Sequence, residues 1–161
     1  VGAFDWAMKK LNSSGLRDRL DEMVIQQKLP VLGICIGMQM MALSSEEGKM
    51  DGLGWIEGHV KHIKDNIEID NIKIDVPHMG WNNIKIMNNS SLLDGFDKSS
   101  YFYFLHSYYF EAYDATNIVS ITQYGNNFPS IVNYENIYGV QFHPEKSHQS
   151  GIQLLKNFSE L

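Results

Sequence analysis

Cys35 is the one cysteine of the chain and stands between two glycines in Gly33-Ile34-Cys35-Ile36-Gly37. An apolar run from Pro30 leads into it, and a helix-like stretch follows. A small-x-nucleophile-x-small pattern between strand and helix suits a sharp turn, where strained backbone and close neighbours leave room only for glycine. At the first turn of a helix, unpaired N–H groups and the macrodipole favour a thiolate. The competing reading is a small buried hydrophobe, the usual state of a free cysteine. Far downstream, Gln141-Phe142-His143-Pro144-Glu145-Lys146-Ser147 supplies the missing half. On an extended segment residues two apart share a side, so the Glu145 carboxylate can stand behind the His143 imidazole. A nucleophile, a base and an orienting group are then all present, as nucleophilic catalysis requires.

The elements that must position these groups follow from periodicity. A helix is expected to begin near Asp5. A second, amphipathic one carries Leu16, Leu20, Met23, Val24 and Gln27 on one face, with Gly15 at its start and Leu29-Pro30 at its stop. The apolar run before Cys35 reads as a strand buried on both faces, and a short helix from Gly37 to Leu43 sets Met40 and Met41 on the sheet. Ser44 to Gly48 reads as a polar loop. Ile67/Ile69, Ile72/Ile74/Val76 and Ile84/Ile86 alternate as half-exposed antiparallel strands do, with turn chemistry at Asp70-Asn71 and Asn82-Asn83. His59 and His62 would face opposite sides of a strand, which argues against a metal site. Pro77 to Asn82 interrupts the alternation and reads as a bulky corner loop. Tyr101 to Phe110 forms an aromatic strand, Ile118–Thr122 and Ser130–Tyr134 pair across a turn at Gly125, and Ile137 to Phe142 delivers His143 at its end. Ser147 is expected to cap a closing helix with Ile152, Leu155 and Phe158 inward.

Composition narrows the class. With 161 residues, 43% of them hydrophobic and 20% charged, the chain reads as one domain over residues 1–161 with enough apolar material for a core. Its formal charge of −6 and lack of a basic stripe argue against a nucleic acid or an anionic membrane as partner. One cysteine permits no internal disulfide, which suits a reducing cytoplasm.

Together the Gly-x-Cys-x-Gly-x-Gln and His-Pro-Glu motifs resemble those of the class I (triad) glutamine amidotransferases. Val76–Asn82, Phe104–Tyr109 and Tyr138–Ser147 are similar to the branch of glutaminase subunits that serve imidazole glycerol phosphate synthases, and the resemblance runs from Val1 to Leu161. It implies an α/β, flavodoxin-like class I glutamine amidotransferase fold, a mixed central sheet flanked by helices with an antiparallel β extension. It implies L-glutamine as substrate, a Cys35–His143–Glu145 triad, and no metal or organic cofactor. Ile36 and the Val1–Gly2 region would form the oxyanion hole. Gln39, Glu47, Ser107, Tyr108 and Tyr109 would bind glutamine, although acidic loops are more often merely solvated and Gln39 by its spacing alone could be a surface residue. His106 is read as structural. Pro77, Met79, Trp81, Tyr103 and Lys146 would meet a (β/α)8-barrel cyclase subunit in a heterodimer and line the passage for ammonia in histidine biosynthesis. The opening Val1-Gly2-Ala3-Phe4 resembles the second half of the family's Pro-Gly-x-Gly segment, which implies that roughly a quarter of a typical chain precedes it. Alternatives within the resemblance are a paralogue feeding ammonia to amination of a nucleotide sugar, and a catalytically silent binding subunit.

Overall fold

The structure, a computed structural model, describes residues 3–63, 74–97 and 100–161. The central five-stranded sheet runs β1-β10-β9-β8-β5, from β1 (Val31–Ile34), β10 (Ile137–Val140), β9 (Asn126–Tyr134), β8 (Ile118–Tyr124) and β5 (Lys85–Ile86). The β1–β10 pair is parallel and the other pairs are antiparallel, so the sheet is mixed. Two small sheets complete the architecture. One joins β2 (Ser44–Ser45), β3 (Gly58–His62) and β7 (Tyr108–Ala112), and the other pairs β4 (His78–Asn83) with β6 (Tyr101–His106). The helices are α1 (Phe4–Ser13), α2 (Arg17–Asp21), α3 (Ile36–Met40) and α4 (His148–Ser159).

Period-two alternation explains why one sheet supports two cores. Neighbouring Ile131 and Val132 are both fully buried yet belong to different clusters. Val132 joins Phe4, Met8, Met38, Trp55 and Phe110, whereas Ile131 joins Leu92, Phe102, Phe104, Phe142 and Leu154. The sheet is therefore covered on both faces, and β1 ends between those covers with Cys35 at its tip.

Several sequence expectations are corrected. The helix over 16–27 is α2 followed by a π-helical turn, Glu22–Gln26, in which the Gln27 N–H donates to Glu22 O at 3.0 Å. Of the expected face only Val24 is buried; Leu20 packs partly buried against the first core, and Leu16, ahead of that turn, is 57% exposed. Ser44–Ser45 of the polar loop forms a short parallel strand against His59 and Val60. The run Pro77–Asn82 is no corner loop, because His78 to Asn83 pairs residue for residue with His106 to Tyr101, which also removes Asn82-Asn83 as a turn. Ile74 and Val76 lie in the irregular approach to β4, while Ile67, Ile69, Asp70, Asn71 and Ile72 lie outside the described residues.

The aromatic strand is divided at Ser107: β6 belongs to one small sheet and β7 to the other. The last strand ends at Val140 rather than Phe142. On α4 the buried residues are Gly151, Leu154 and Asn157, with Ile152 62% and Leu155 38% exposed. A Cβ at Gly151 would stand 1.8 Å from Pro144 O, so this glycine is what lets α4 lie on the turn after His143. Asn157 is drawn inward by polar contacts, its Nδ2 donating to Leu92 O and Asp94 O.

Candidate active site

The turn from β1 into α3 has the strain that its sequence announces. Cys35 sits at φ 51° and ψ −108°, a conformation that a side chain rarely adopts. Its N–H donates to Val140 O at 2.8 Å, which fixes the nucleophile's backbone to the end of β10. A Cβ at Gly33 would fall 2.6 Å from the Gly37 carbonyl carbon, so glycine is required there. Gly37 is different. Among the described residues a Cβ at that position meets nothing within 4 Å, and packing demands one of the two flanking glycines rather than both.

His143 is delivered by the bend after β10 and is 5% exposed. Its N–H donates to Tyr103 O at 2.8 Å, and its Nδ1 and the Glu145 Oε1 are 2.7 Å apart. The pairing expected from sequence is formed, but by a different route: Pro144–Lys146 is a 3-10 turn rather than an extended segment, and the turn swings the carboxylate under the ring. With Nδ1–H donated to Glu145, the tautomer leaves Nε2 free to accept a proton. That Nε2 is buried with no hydrogen-bond partner among the described residues. Ser147 does not cap α4 with its side chain. Its Oγ donates to His143 O at 2.6 Å and accepts from Tyr103 N–H at 3.0 Å, tying the triad turn to β6.

The electrostatics of Cys35 overturn one expectation. Burial pushes its thiol above the usual range, outweighing the Ile36 N–H that faces the sulfur, and the carboxylates of Glu145 and Glu47 add to the rise. A five-residue helix does not hold a standing thiolate here. The resting group is a thiol, and its S–H donates to Leu105 O at 3.8 Å.

A cleft of about 380 Å³ opens beside the sulfur, lined by Cys35, Ile36, Gln39, Glu47, Leu105, His106, Ser107 and Tyr108. Four of the five residues expected to hold substrate therefore stand on its wall. Tyr109 does not, since alternation along β7 turns it to the second core against Phe128. Gln39 is 4% exposed rather than a surface residue, and its Nε2 donates to Tyr108 O at 2.8 Å and to Gln141 Oε1 at 3.1 Å. Glu47 accepts from the Phe4 N–H at 2.9 Å through one carboxylate oxygen. Val1 and Gly2, expected to complete the oxyanion hole, lie outside the described residues.

Sequence reasoning passed over two groups. Leu105 contributes the carbonyl that accepts the hydrogen bond from the thiol, which no side-chain pattern announces. Gln141, two residues before His143 in the quoted motif, reaches the sulfur through its Nε2 at 3.7 Å. His106 is buried and structural as expected, its Nδ1–H donating to Tyr108 O at 2.8 Å and its Nε2 facing His78 Nδ1 at 3.0 Å. Burial lowers the His106 pKa to about 3 and that of His78 to about 4, so both rings stay neutral at physiological pH.

On the outer side of the β4–β6 pair, Met79 is 65% and Trp81 49% exposed, and Pro77 is exposed at the start of the same strand. The Trp81 ring meets Tyr103 edge-on at 6.0 Å and His148 at 5.1 Å, while Lys146 Nζ lies 5.7 Å from the Tyr103 ring centre. Trp81, Tyr103 and Lys146 thus share one face, with Met79 two residues before Trp81 on the same strand and Pro77 exposed just ahead of it. Among the described residues, no group of three His, Cys, Asp or Glu side chains is placed to hold a metal, and no helix is long and apolar enough to cross a membrane.

A strained cysteine elbow, a carboxylate-backed histidine and a mixed, doubly covered sheet define a known class. The profile of the glutamine amidotransferase class-I family matches residues 12–160, and the chain belongs to that family. More particularly, it is 48% identical over 161 residues to the imidazole glycerol phosphate synthase subunit HisH of Leptospira borgpetersenii, covering 100% of this chain and 78% of the relative. It is 49% identical over 161 residues, with the same coverage, to the protein of that name from Bdellovibrio bacteriovorus. A crystal structure of a glutamine amidotransferase from Thermotoga maritima shares the fold with a TM-score of 0.62 at 17% identity, over 99% of this chain and 59% of that one.

Proposed function

We propose that this chain is the glutaminase subunit of an imidazole glycerol phosphate synthase. The observations that carry the reading are a strained, buried Cys35 at the tip of β1 and a His143 whose Nδ1 is held by Glu145, both tied to the end of β10, the first by its N–H and the second along the chain. The two relatives' names supply the synthase.

Glutamine enters the cleft with its α-ammonium at Glu47 and its side-chain amide toward Cys35. Gln39, committed to Tyr108 O and Gln141, shapes that wall, and Ser107 and the Tyr108 backbone hold the α-carboxylate end. The thiol proton passes to His143 Nε2 as Sγ attacks the amide carbon. The oxyanion that forms is held by the Ile36 N–H and by the Val1–Gly2 region, an arrangement of two donors worth several kcal/mol in such reactions, about 3 kcal/mol for each donor. His143 returns the proton to the departing nitrogen, the C–N bond breaks, and ammonia leaves behind a γ-glutamyl thioester. Water, deprotonated by His143, then cleaves the C–S bond to give glutamate and restore the thiol. The ammonia passes to a barrel cyclase docked on Pro77, Met79, Trp81, Tyr103 and Lys146, in the cytoplasm.

Glutamate release measured with and without the cyclase subunit tests this. The cyclase is expected to stimulate the reaction. Trp81→Ala or Lys146→Ala is expected to weaken that association about 10- to 100-fold, as loss of a central interface anchor does, with the KM for glutamine nearly unchanged. Equal losses in both would remove these residues from the interface, and no stimulation at all would remove the cyclase as partner.

A further inference from the structure

Between Cys35 and the wall of the cleft runs a buried pair of amides, Gln39 and Gln141, and the mechanism above gives the second no part in the chemistry. Gln141 is fully buried, and its side chain spans two contacts: Oε1 accepts from Gln39 Nε2 at 3.1 Å, and Nε2 donates to Cys35 Sγ at 3.7 Å, a normal length for a sulfur acceptor. Gln39 is fixed in turn by its donation to Tyr108 O. The residue before Gln141 carries the carbonyl that receives the Cys35 N–H. One dipeptide, Val140-Gln141, therefore holds both the backbone and the sulfur of the nucleophile.

We propose that Gln141 is a positioning residue for the nucleophile, whose Nε2–H supports the sulfur once its proton has left. The inference rests on Cys35 being the nucleophile and deepens that reading. Its argument is the difference between the two states of the sulfur. In the thiol, S–H donates to Leu105 O and the contact from Gln141 is a weak one between neutral groups. In the thiolate, the Leu105 carbonyl has nothing to accept, whereas the Gln141 contact becomes a hydrogen bond to an anion, roughly twice as strong. A donor that gains on ionisation lowers the acidity threshold of a thiol that burial has raised. Gln39 keeps the amide from flipping, because its N–H needs the Oε1 of Gln141 on its own side.

The test needs no turnover, because Cys35 is the one thiol of the chain and iodoacetamide reports its ionisation directly. Gln141→Met keeps the volume and removes both contacts without adding charge, and Gln141→Leu removes both with a branched shape. Each variant, folded by its circular dichroism and melting transition, is expected to move the alkylation midpoint up by about one pH unit, the size of a lost hydrogen bond to a charged group. It is expected to lower kcat for glutamate release about tenfold with KM within about twofold. A role in packing alone would shift the melting temperature and leave the alkylation profile in place, and that result overturns the proposal. Should neither variant fold, Gln39→Met leaves Gln141 present but unanchored. Its midpoint is expected to rise by a smaller step, and an unmoved midpoint again overturns the proposal. Shifted alkylation without any glutaminase activity in the parent chain would contradict the enzymatic reading and leave the sulfur contact standing.

Discussion

Cys35→Ala is expected to reduce glutamate release to the solvent background, a loss on the order of 10⁶-fold relative to the parent chain. The size follows from the chemistry. Without sulfur no thioester forms, and what remains is the cleft's ability to bind glutamine. A residual rate within a hundredfold of the parent would mean that water attacks the amide directly and that Cys35 is a buried structural thiol. Glutamine binding by calorimetry should survive the change, because Gln39, Glu47, Ser107 and Tyr108 line the same cleft and none of them depends on the sulfur for its place. Cys35→Ser should fare little better. A hydroxyl in the same buried setting is a far weaker acid, and its shorter C–O bond sets the oxygen back from where the larger sulfur reaches.

His143→Asn is expected to cost nearly as much as removing Cys35, and the double variant no more than either alone, since groups acting as a unit are not additive. The reason lies in the resting state. Burial keeps the thiol protonated at neutral pH, so the attacking thiolate exists only if a neighbouring base takes the proton. Were a standing thiolate present, loss of His143 would remove only the proton delivered to the departing nitrogen, and the cost would be smaller than that of losing Cys35. Ammonia release in a rapid-mixing experiment follows acylation directly: the parent should show a fast phase, and His143→Asn should show none on the same timescale. Glu145→Gln should lose less than His143→Asn. Its carboxylate side chain is 53% exposed, so water takes over part of its electrostatic share, although the ring's tautomer is still set less firmly. A Glu145→Gln loss as large as that of His143→Asn would contradict this ranking.

How much of this was legible beforehand depends on which rule each residue obeys. The Cys35 elbow and the His143–Glu145 pair were readable because each sits in a short motif that the backbone constrains locally, at Gly33-Ile34-Cys35-Ile36-Gly37 and at His143-Pro144-Glu145. The strand-turn-strand at Ile118 to Tyr134 was readable because Gly125, at φ +73°, makes the turn that β-branched runs on either side need. Other elements obey rules that a pattern of apolar residues does not carry. Met79 and Trp81 look wrong for a strand because their side chains face outward, yet the pairing of β4 with β6 is continuous.

On α4 the inward face is chosen by a close backbone approach at Gly151 and by the amide of Asn157, so Ile152 and Leu155 are left outside. The π-helical turn at Glu22–Gln26 changes the helical phase by one residue, which no period of 3.6 anticipates. The charge state of Cys35 is set by competition between burial and a single helical turn, and that balance is visible only in three dimensions. The same holds for Gln141, whose importance lies in what its amide reaches rather than in its type.

The account turns on a covalent bond between Cys35 and the acyl group of glutamine. The direct measurement is rapid acid quenching of the protein, in excess over glutamine, followed by mass spectrometry of its peptides across the course of a single turnover. A γ-glutamyl group should rise and fall on the peptide carrying Cys35, and on no other, ahead of glutamate. Glutamate that accumulates while Cys35 stays unmodified at every time point would contradict the mechanism.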